Sequence, residues 1–386
     1  MSKSSSILIV GGGIGGMSTA LALAKRGIAS TVLEQAPQFR EAGAGIQFCP
    51  NTFKILNHLG MTKAFTAIAN FPKYLCYVDG LIDFEFVRLP LGQQIVDRFQ
   101  HPFGSFHREE VLREFVKACK SSPLIKLVTS AKVVHVEERD DIVLAKTDAG
   151  DIFEGEILIG CDGIGSVVRK FVLGDERPRD SGQIIYRGVV HKNDMPPNLE
   201  LESIVHFVRP NAHVVHYPIG NNDYFNISAI FQKGTPDDSD ELDTWFAGSI
   251  PKVMDLIHKV SPAMRWSLCD RQPISQWSKG RIVLLGDSVH PTLPYLTSGA
   301  GMAVEDAVVL SNKIAQYSSN FSQAFKEYQE ERYLRTAYVQ LFSRAYGDVH
   351  HSSGVARELR NDLISKRSVE ENLNWVSYLY SGIDLD

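Results

Sequence analysis

The run Ile7-Leu-Ile-Val10 followed by Gly11-x-Gly13-x-x-Gly16 constrains this chain more than any other feature. Four apolar residues bounded by glycine read as a strand buried on both faces. Ala20, Leu21, Ala22, Leu23, Ala24 and Lys25 then favour a helix, with Lys25-Arg26 in its last turn and Gly27 as its C-terminal cap. Ser30-Thr-Val-Leu33 predicts a second strand, closed by Glu34. The glycines divide the work of the loop. Gly11 permits the tight turn, Gly13 lets a pyrophosphate approach the backbone, and Gly16 lets helix and strand pack closely. The helix N-terminus offers unpaired N–H groups and about half a positive charge to phosphates. Glu34 can accept hydrogen bonds from a ribose, and its charge disfavours a ribose carrying a 2′-phosphate. The complete strand–loop–helix–strand–Glu unit predicts dinucleotide binding.

Two further segments repeat the strand-then-glycine pattern: Ile157-Leu-Ile159 before Gly160-Cys-Asp-Gly163, and Ile282-Val-Leu-Leu285 before Gly286-Asp287. Between them, residues 75–103 and 181–270 alternate in the manner of strands, as in Ser203-Ile-Val-His-Phe-Val208 and His213-Val-Val-His-Tyr217. From about Met302 the pattern turns helical, with Ala303, Val304, Ala307, Val308 and Leu310 spaced for one buried face. The expected architecture is α/β. A Rossmann-like nucleotide-binding domain is assembled from 1–74, 104–180 and 271–345, a β-rich domain from 75–103 and 181–270 is inserted into it, and a helical tail spans 346–386.

Composition removes other classes. The 386 residues are 44% hydrophobic, enough for a sizeable core in two or three domains. A net charge of −5 argues against a nucleic-acid binder working through a basic face. The five cysteines (Cys49, Cys76, Cys119, Cys161, Cys269) are odd in number and form no C-x-x-C pair, so neither a disulfide framework nor a metal site is expected. No apolar run approaches the roughly 18 residues of a membrane span, and the short N-terminal apolar run is no signal-peptide core. A soluble, cytoplasmic protein is expected.

Gly286-Asp287 selects between dinucleotides. A carboxylate just past a buried strand, followed by Pro291 and by Gly299-Ala-Gly301 at a helix head, suits a long polyol bearing a fused ring, hence FAD. Asp287 would accept hydrogen bonds from ribitol hydroxyls, and the helix would aim its positive end at the flavin pyrimidine. The alternative is an Asp that only caps its turn.

With these motifs in place, the chain resembles the single-component (class A) flavoprotein aromatic hydroxylases. The likeness rests on the Gly11 loop with Glu34, on Cys161-Asp162-Gly163 continuing to Ser166 and Arg169, and on Gly286-Asp-Ser-Val-His-Pro291. Gly43-Ala-Gly-Ile-Gln47 and His107-Arg108 support it, in the family's order along nearly the whole chain. Departures are Cys161 where Ala is usual, Ser288-Val289 for Ala-Ala, and Pro294 where the benzoate-directed members carry Gln. The resemblance implies FAD held at Gly11, Gly13, Gly16, Glu34, Gln35, Gln47, Arg108, Asp287, Gly299 and Ala300, with Val133 along the adenine. Asp162 is implied where FAD and the nicotinamide both pass. NADH or NADPH, NADH preferred, is a transient co-substrate alongside O2, which explains why no second glycine fingerprint exists. The implied reaction is hydroxylation of a small phenolic acid through a flavin C4a-hydroperoxide, with 3-hydroxybenzoate to gentisate foremost. Hydroxylation of 6-hydroxynicotinate and decarboxylative hydroxylation of salicylate are the alternatives. Outside the class stand an NAD-linked dehydrogenase and a flavoprotein without turnover. A homodimer is compatible with the family.

If His213–Tyr217 is a strand, His213, Val215 and Tyr217 share one face and His216 takes the other. On residues alone the pair also reads as ordinary buried strand side chains. The resemblance assigns Tyr217, with Gln47, to holding the substrate and His213 to taking its phenolic proton. His290 is expected to support its turn, and His350-His351 to be a solvated helical pair.

Overall fold

The computed structural model describes residues 7–40, 45–174, 177–233 and 241–385; the Ser-rich N-terminal tip and the Gly43-Ala44 half of the Gly43–Gln47 signature lie outside them. The three strand-then-glycine segments lie side by side. Ile7–Val10 pairs in parallel with Leu158–Gly160 on one edge and with Ser30–Leu33 on the other. Leu158–Gly160 pairs in parallel with Ile282–Leu284, and Ile125–Val128 extends the sheet beyond Ser30–Leu33. The short antiparallel Ser278–Lys279 completes six strands. Every residue of Ile7–Val10, Leu158–Gly160 and Ile282–Leu284 is buried, as parallel strands covered on both faces require. The loops after these three strands therefore gather at one end of the sheet, the carboxyl end, where open α/β sheets bind their ligands.

A seven-stranded sheet draws from both β-rich intervals, in the order Ser261–Asp270, Arg179–His191, Tyr224–Gln232, Ala212–Ile219, Ile204–Arg209, Tyr74–Asp79, Phe84–Pro90. On one face Phe246, Val253, Leu256 and Ile257, from short helices, join Phe207, Val214 and Phe231 in a core. The opposite face looks onto the nucleotide-binding half and roofs the cavity between them.

Boundaries shift in two places. The helix expected from about Met302 begins at Gly299 and runs to Tyr317. The next helix, Phe321–His350, is continuous through residue 346, so no domain boundary falls there. The tail proper is the pair Gly354–Ser365 and Val369–Tyr380. It docks on the seven-stranded sheet through buried Asp79, onto which Arg357 forks with both contacts at 2.6 Å and Asn361 Nδ2 donates at 2.7 Å. Among the described residues no helix is long and apolar enough to cross a membrane.

Candidate active site

The first loop is built as its sequence requires. Gly11 has φ +106°, and a Cβ there would stand 2.3 Å from the Cys161 carbonyl oxygen, so the two adjacent strand ends touch through backbone alone. Glu34 closes back on the loop: its Oε2 accepts from Gly12 N at 2.7 Å and its Oε1 from Ala36 N at 2.8 Å. Each carboxylate oxygen keeps a further lone pair for a hydroxyl. The helix that starts at Ile14, with Gly13 as its N-cap, presents unpaired N–H groups to a cavity of about 500 Å³.

The third loop closes the same cavity from the other side. Gly286, at φ +67°, turns the chain so that Asp287 lines the mouth, and Gly299 and Ala300 open the next helix beside it. Ser288 is a working departure from alanine: its hydroxyl donates to Gly160 O at 2.6 Å and accepts from Leu285 N at 3.1 Å. Arg169, fully buried, donates through one terminal nitrogen to Ser288 O at 3.0 Å and Val289 O at 3.1 Å. The middle segment thus buttresses the turn that carries Asp287.

The roof comes from the seven-stranded sheet. His213, Val215 and Tyr217 face the cavity, while His216 turns to the opposite face against Phe207 and Phe225. Arg187, Ser228, Val215 and His206 register as one row across four strands and all line the cavity. Burial pushes the Tyr217 phenol up to about 12, against the pull of Arg187, Arg108 and Gln47, so it stays a hydrogen-bond donor at every ordinary pH. Burial, then the neighbouring His351, His350 and His206, holds His213 well below the usual imidazole range; it is a neutral base. Its Nδ1 lies 2.9 Å from His351 Nε2.

Glycine loops at both ends, an acidic group at each, two helix N-termini and a roofed slot converge on one space. The chain matches the FAD binding domain family over residues 4–343. The chain belongs to this family. A 3-hydroxybenzoate 6-hydroxylase of Polaromonas naphthalenivorans (strain CJ2) is 36% identical over 97% of this chain and 95% of its own length. A 6-hydroxynicotinate 3-monooxygenase of Bordetella bronchiseptica is 31% identical over 87% of this chain and 90% of its own. Klebsiella pneumoniae HpxO, solved with FAD and uric acid, superposes with a TM-score of 0.87 at 27% identity, covering 99% of this chain and 98% of that one.

This FAD-binding-family protein is a flavin-dependent monooxygenase, with O2 and a nicotinamide as co-substrates. Its residues fit FAD: the donor set of the Gly13 helix end would suit the pyrophosphate, Glu34, bonded to Gly12 beside it, would accept from a ribose, and Asp287 from the ribitol. Gln47 and Arg108 line the same cavity. Gln35 is exposed beside Glu34, and Gly16 is packed inside its helix, where a Cβ would meet Gly11 O at 1.9 Å. Val133 is buried in the core outside the cavity lining, close to Glu34 in that Ala131 N donates to Glu34 O at 2.8 Å.

The Asp162 carboxylate faces the helix that follows it. Its carboxylate accepts from Ser166 Oγ at 2.5 Å and from Val167 N and Val168 N at 2.7 and 3.1 Å, capping the short helix that follows. Cys161 and Gly163, on either side, line the cavity instead. His290 supports its turn as expected, with Nε2 2.5 Å from buried Asp306 Oδ2.

His350-His351 is not the solvated pair that its sequence suggests. His350 is 2% exposed, lines the cavity, and has neither ring nitrogen hydrogen-bonded; His351 bonds His213. The helix end is pulled inward because Arg360 donates to His350 O at 2.8 Å and Asn211 N to His351 O at 3.1 Å. Arg187 also belongs to the site, although nothing in the sequence singles it out; its place in the Tyr186-Arg187-Gly188 part of a β run is the available signal.

Proposed function

We propose that this protein hydroxylates a small phenolic carboxylate, 3-hydroxybenzoate foremost, giving gentisate, with Tyr217 orienting the ring and His213 taking the phenolic proton. One observation carries the reading: His213 and Tyr217 share a strand face in a cavity that Arg187 also lines. The Arg187 Nε is buried with no hydrogen-bond partner, and among the described residues no carboxylate pairs with it. The side chain is half-buried, and its unpartnered Nε offers a substrate carboxylate a charge-assisted hydrogen bond. The relatives named for 3-hydroxybenzoate support the same ring.

Bound FAD, once reduced, would supply the activated oxygen; the chain's own residues make the substrate ring the nucleophile by drawing off its phenolic proton. A phenol with pKa about 10 facing an imidazole of about 6.5 makes full proton transfer uphill by roughly 4.8 kcal/mol. The burial that lowers His213 further widens that gap. His213 therefore works as a base late, as the ring gains its new bond, while Arg187 and Arg108 favour the phenolate electrostatically. The test is a panel of monohydroxybenzoates and hydroxynicotinates with NADH and with NADPH, scoring reductant consumed against product. Gentisate formed stoichiometrically from 3-hydroxybenzoate is the expected result. Hydrogen peroxide released with every phenol, and no ring product, would refute it.

A further inference from the structure

We propose that His351 is the relay partner of His213, fixing its tautomer and carrying the substrate's proton out to solvent. This rests on the reading of His213 as the base. The two rings meet at 2.9 Å through Nδ1 of His213 and Nε2 of His351, leaving Nε2 of His213 as the nitrogen free for the substrate. For that nitrogen to accept, Nδ1 must carry the hydrogen and His351 Nε2 must be the acceptor. When Nε2 of His213 takes the phenolic proton, its Nδ1 proton passes to Nε2 of His351, and His351 yields its own Nδ1 proton to water. Each ring gains one proton and loses one, so no imidazolium accumulates in a site that disfavours it.

The placement is specific. His351 is partly exposed while His213 is 3% exposed, so the pair spans the wall between cavity and solvent. The two residues lie 138 positions apart and are brought together by backbone: Asn211 N, two residues before His213, donates to His351 O at 3.1 Å. Around His213 stand the rings of His206, His350 and Tyr295; Arg360 is the charged group acting on His351, and the carboxylate of Asp348 acts on Tyr295. Among the described residues no carboxylate is bonded to His213 or His351, so handing the proton onward is the alternative to holding it.

His351→Gln, His351→Phe and His213→Ala are to be compared with wild type as FAD-loaded protein. One readout is the phenolate absorbance of bound substrate across pH without reductant; the other is the single-turnover hydroxylation rate. Gln retains an acceptor for the Nδ1 hydrogen but cannot relay. The relay predicts that His351→Gln binds substrate within about twofold of wild type, ionises it at a pH about one unit higher, and hydroxylates at least ~10-fold more slowly. His351→Phe should behave the same or worse. Wild-type ionisation and rate in His351→Gln would overturn the relay and leave a positioning role only. Wild-type behaviour in His213→Ala would show that the base assignment itself is wrong.

Discussion

A methyl group at Gly45 would stand 2.6 Å from the hydroxyl oxygen of Tyr217 and equally close to its ring. Gly45 is held there by its own N–H, which donates to Asn226 Oδ1 at 2.9 Å from the strand beside Tyr217. The strand Gly45–Phe48 is thus a wall against which the Tyr217 phenol is fixed. Gly45→Ala must push that ring aside. We expect substrate affinity to fall about tenfold, near 1.4 kcal/mol, with FAD content unchanged. Titration of substrate by flavin absorbance checks it, and an unaltered affinity would show that the ring is not held by this wall. Tyr217→Phe should lose a comparable amount without any change of pH dependence below about 12, because the phenol is protonated throughout.

Arg187 should discriminate charge rather than ring shape. Its guanidinium leans on the Trp266 ring at 5.9 Å, and burial lowers its pKa from the ordinary arginine value. A charge-assisted hydrogen bond to a carboxylate contributes about 1.5–3 kcal/mol. Arg187→Gln is expected to weaken 3-hydroxybenzoate about 10- to 100-fold and 3-hydroxybenzamide hardly at all, with FAD affinity kept. Equal losses for acid and amide, or loss of FAD instead, would place the guanidinium on some other group.

Local signals carried the frame of this protein and stopped at its long-range contacts. Apolar runs ending in glycine located three strands that turned out to be neighbours, because only strands buried on both faces read that way. Two-residue alternation correctly put His213, Val215 and Tyr217 on one face. Alternation does not say what covers that face, so His351, reached through a helix end folded inward, had no local signature. Arg187 was hidden likewise: a charged residue in a strand reads as an edge or solvent position until the opposing wall is known. Asp162 shows the converse, an acidic residue in a cofactor-like motif whose charge is spent on the N–H groups of the next helix.

Acid should destabilise this protein earlier than its carboxylates require. Burial leads the lowering of His206 to about 3, of His216 and His351 to about 4, and of His213 and His350 well below the normal value. The unfolded chain protonates these rings near pH 6.5 and the folded one does not, so below 6.5 the unfolded state binds more protons. Stability is therefore full above pH 6.5 and is lost as pH falls toward the folded values, at about 1.4 kcal/mol per unit for each ring. His216 isolates one share: it faces away from the site, near Glu200 and Lys252, with both ring nitrogens unpartnered. His216→Phe should reduce the loss between pH 7.5 and 5.5 by about 1.4 kcal/mol in urea unfolding while activity is retained. The same slope in variant and wild type would mean that His216 protonates freely in the folded state.

The turn that carries Asp287 hangs on a buried charge network, and we expect that network to govern how firmly FAD is held. Asp306 Oδ2 accepts from Gly286 N at 3.1 Å and meets His290 Nε2, while its Oδ1 takes Arg332 Nε at 2.7 Å. Arg332 also reaches Glu305 at 2.7 Å, and Glu305 is gripped by Arg335 at 2.8 Å; Arg332, Glu305 and Asp306 are wholly buried. Although burial alone would raise Asp306, His290 and Arg332 hold it at about 2, so it is ionised whenever the protein is folded. Removing one partner from such a set leaves an uncompensated buried charge and costs about 3–5 kcal/mol. Arg332→Met should therefore lower unfolding stability in urea by that amount and release FAD on dilution, since the Gly286 turn loses its anchor. Asp306→Asn keeps the shape but leaves Arg332 with Glu305 as its one carboxylate and His290 with none, and is expected to destabilise as well. The double variant Arg332→Met with Asp306→Asn should cost less than the sum of the two, because neither charge is left alone. Additive losses in that cycle would show that the two side chains stabilise the turn independently rather than through each other.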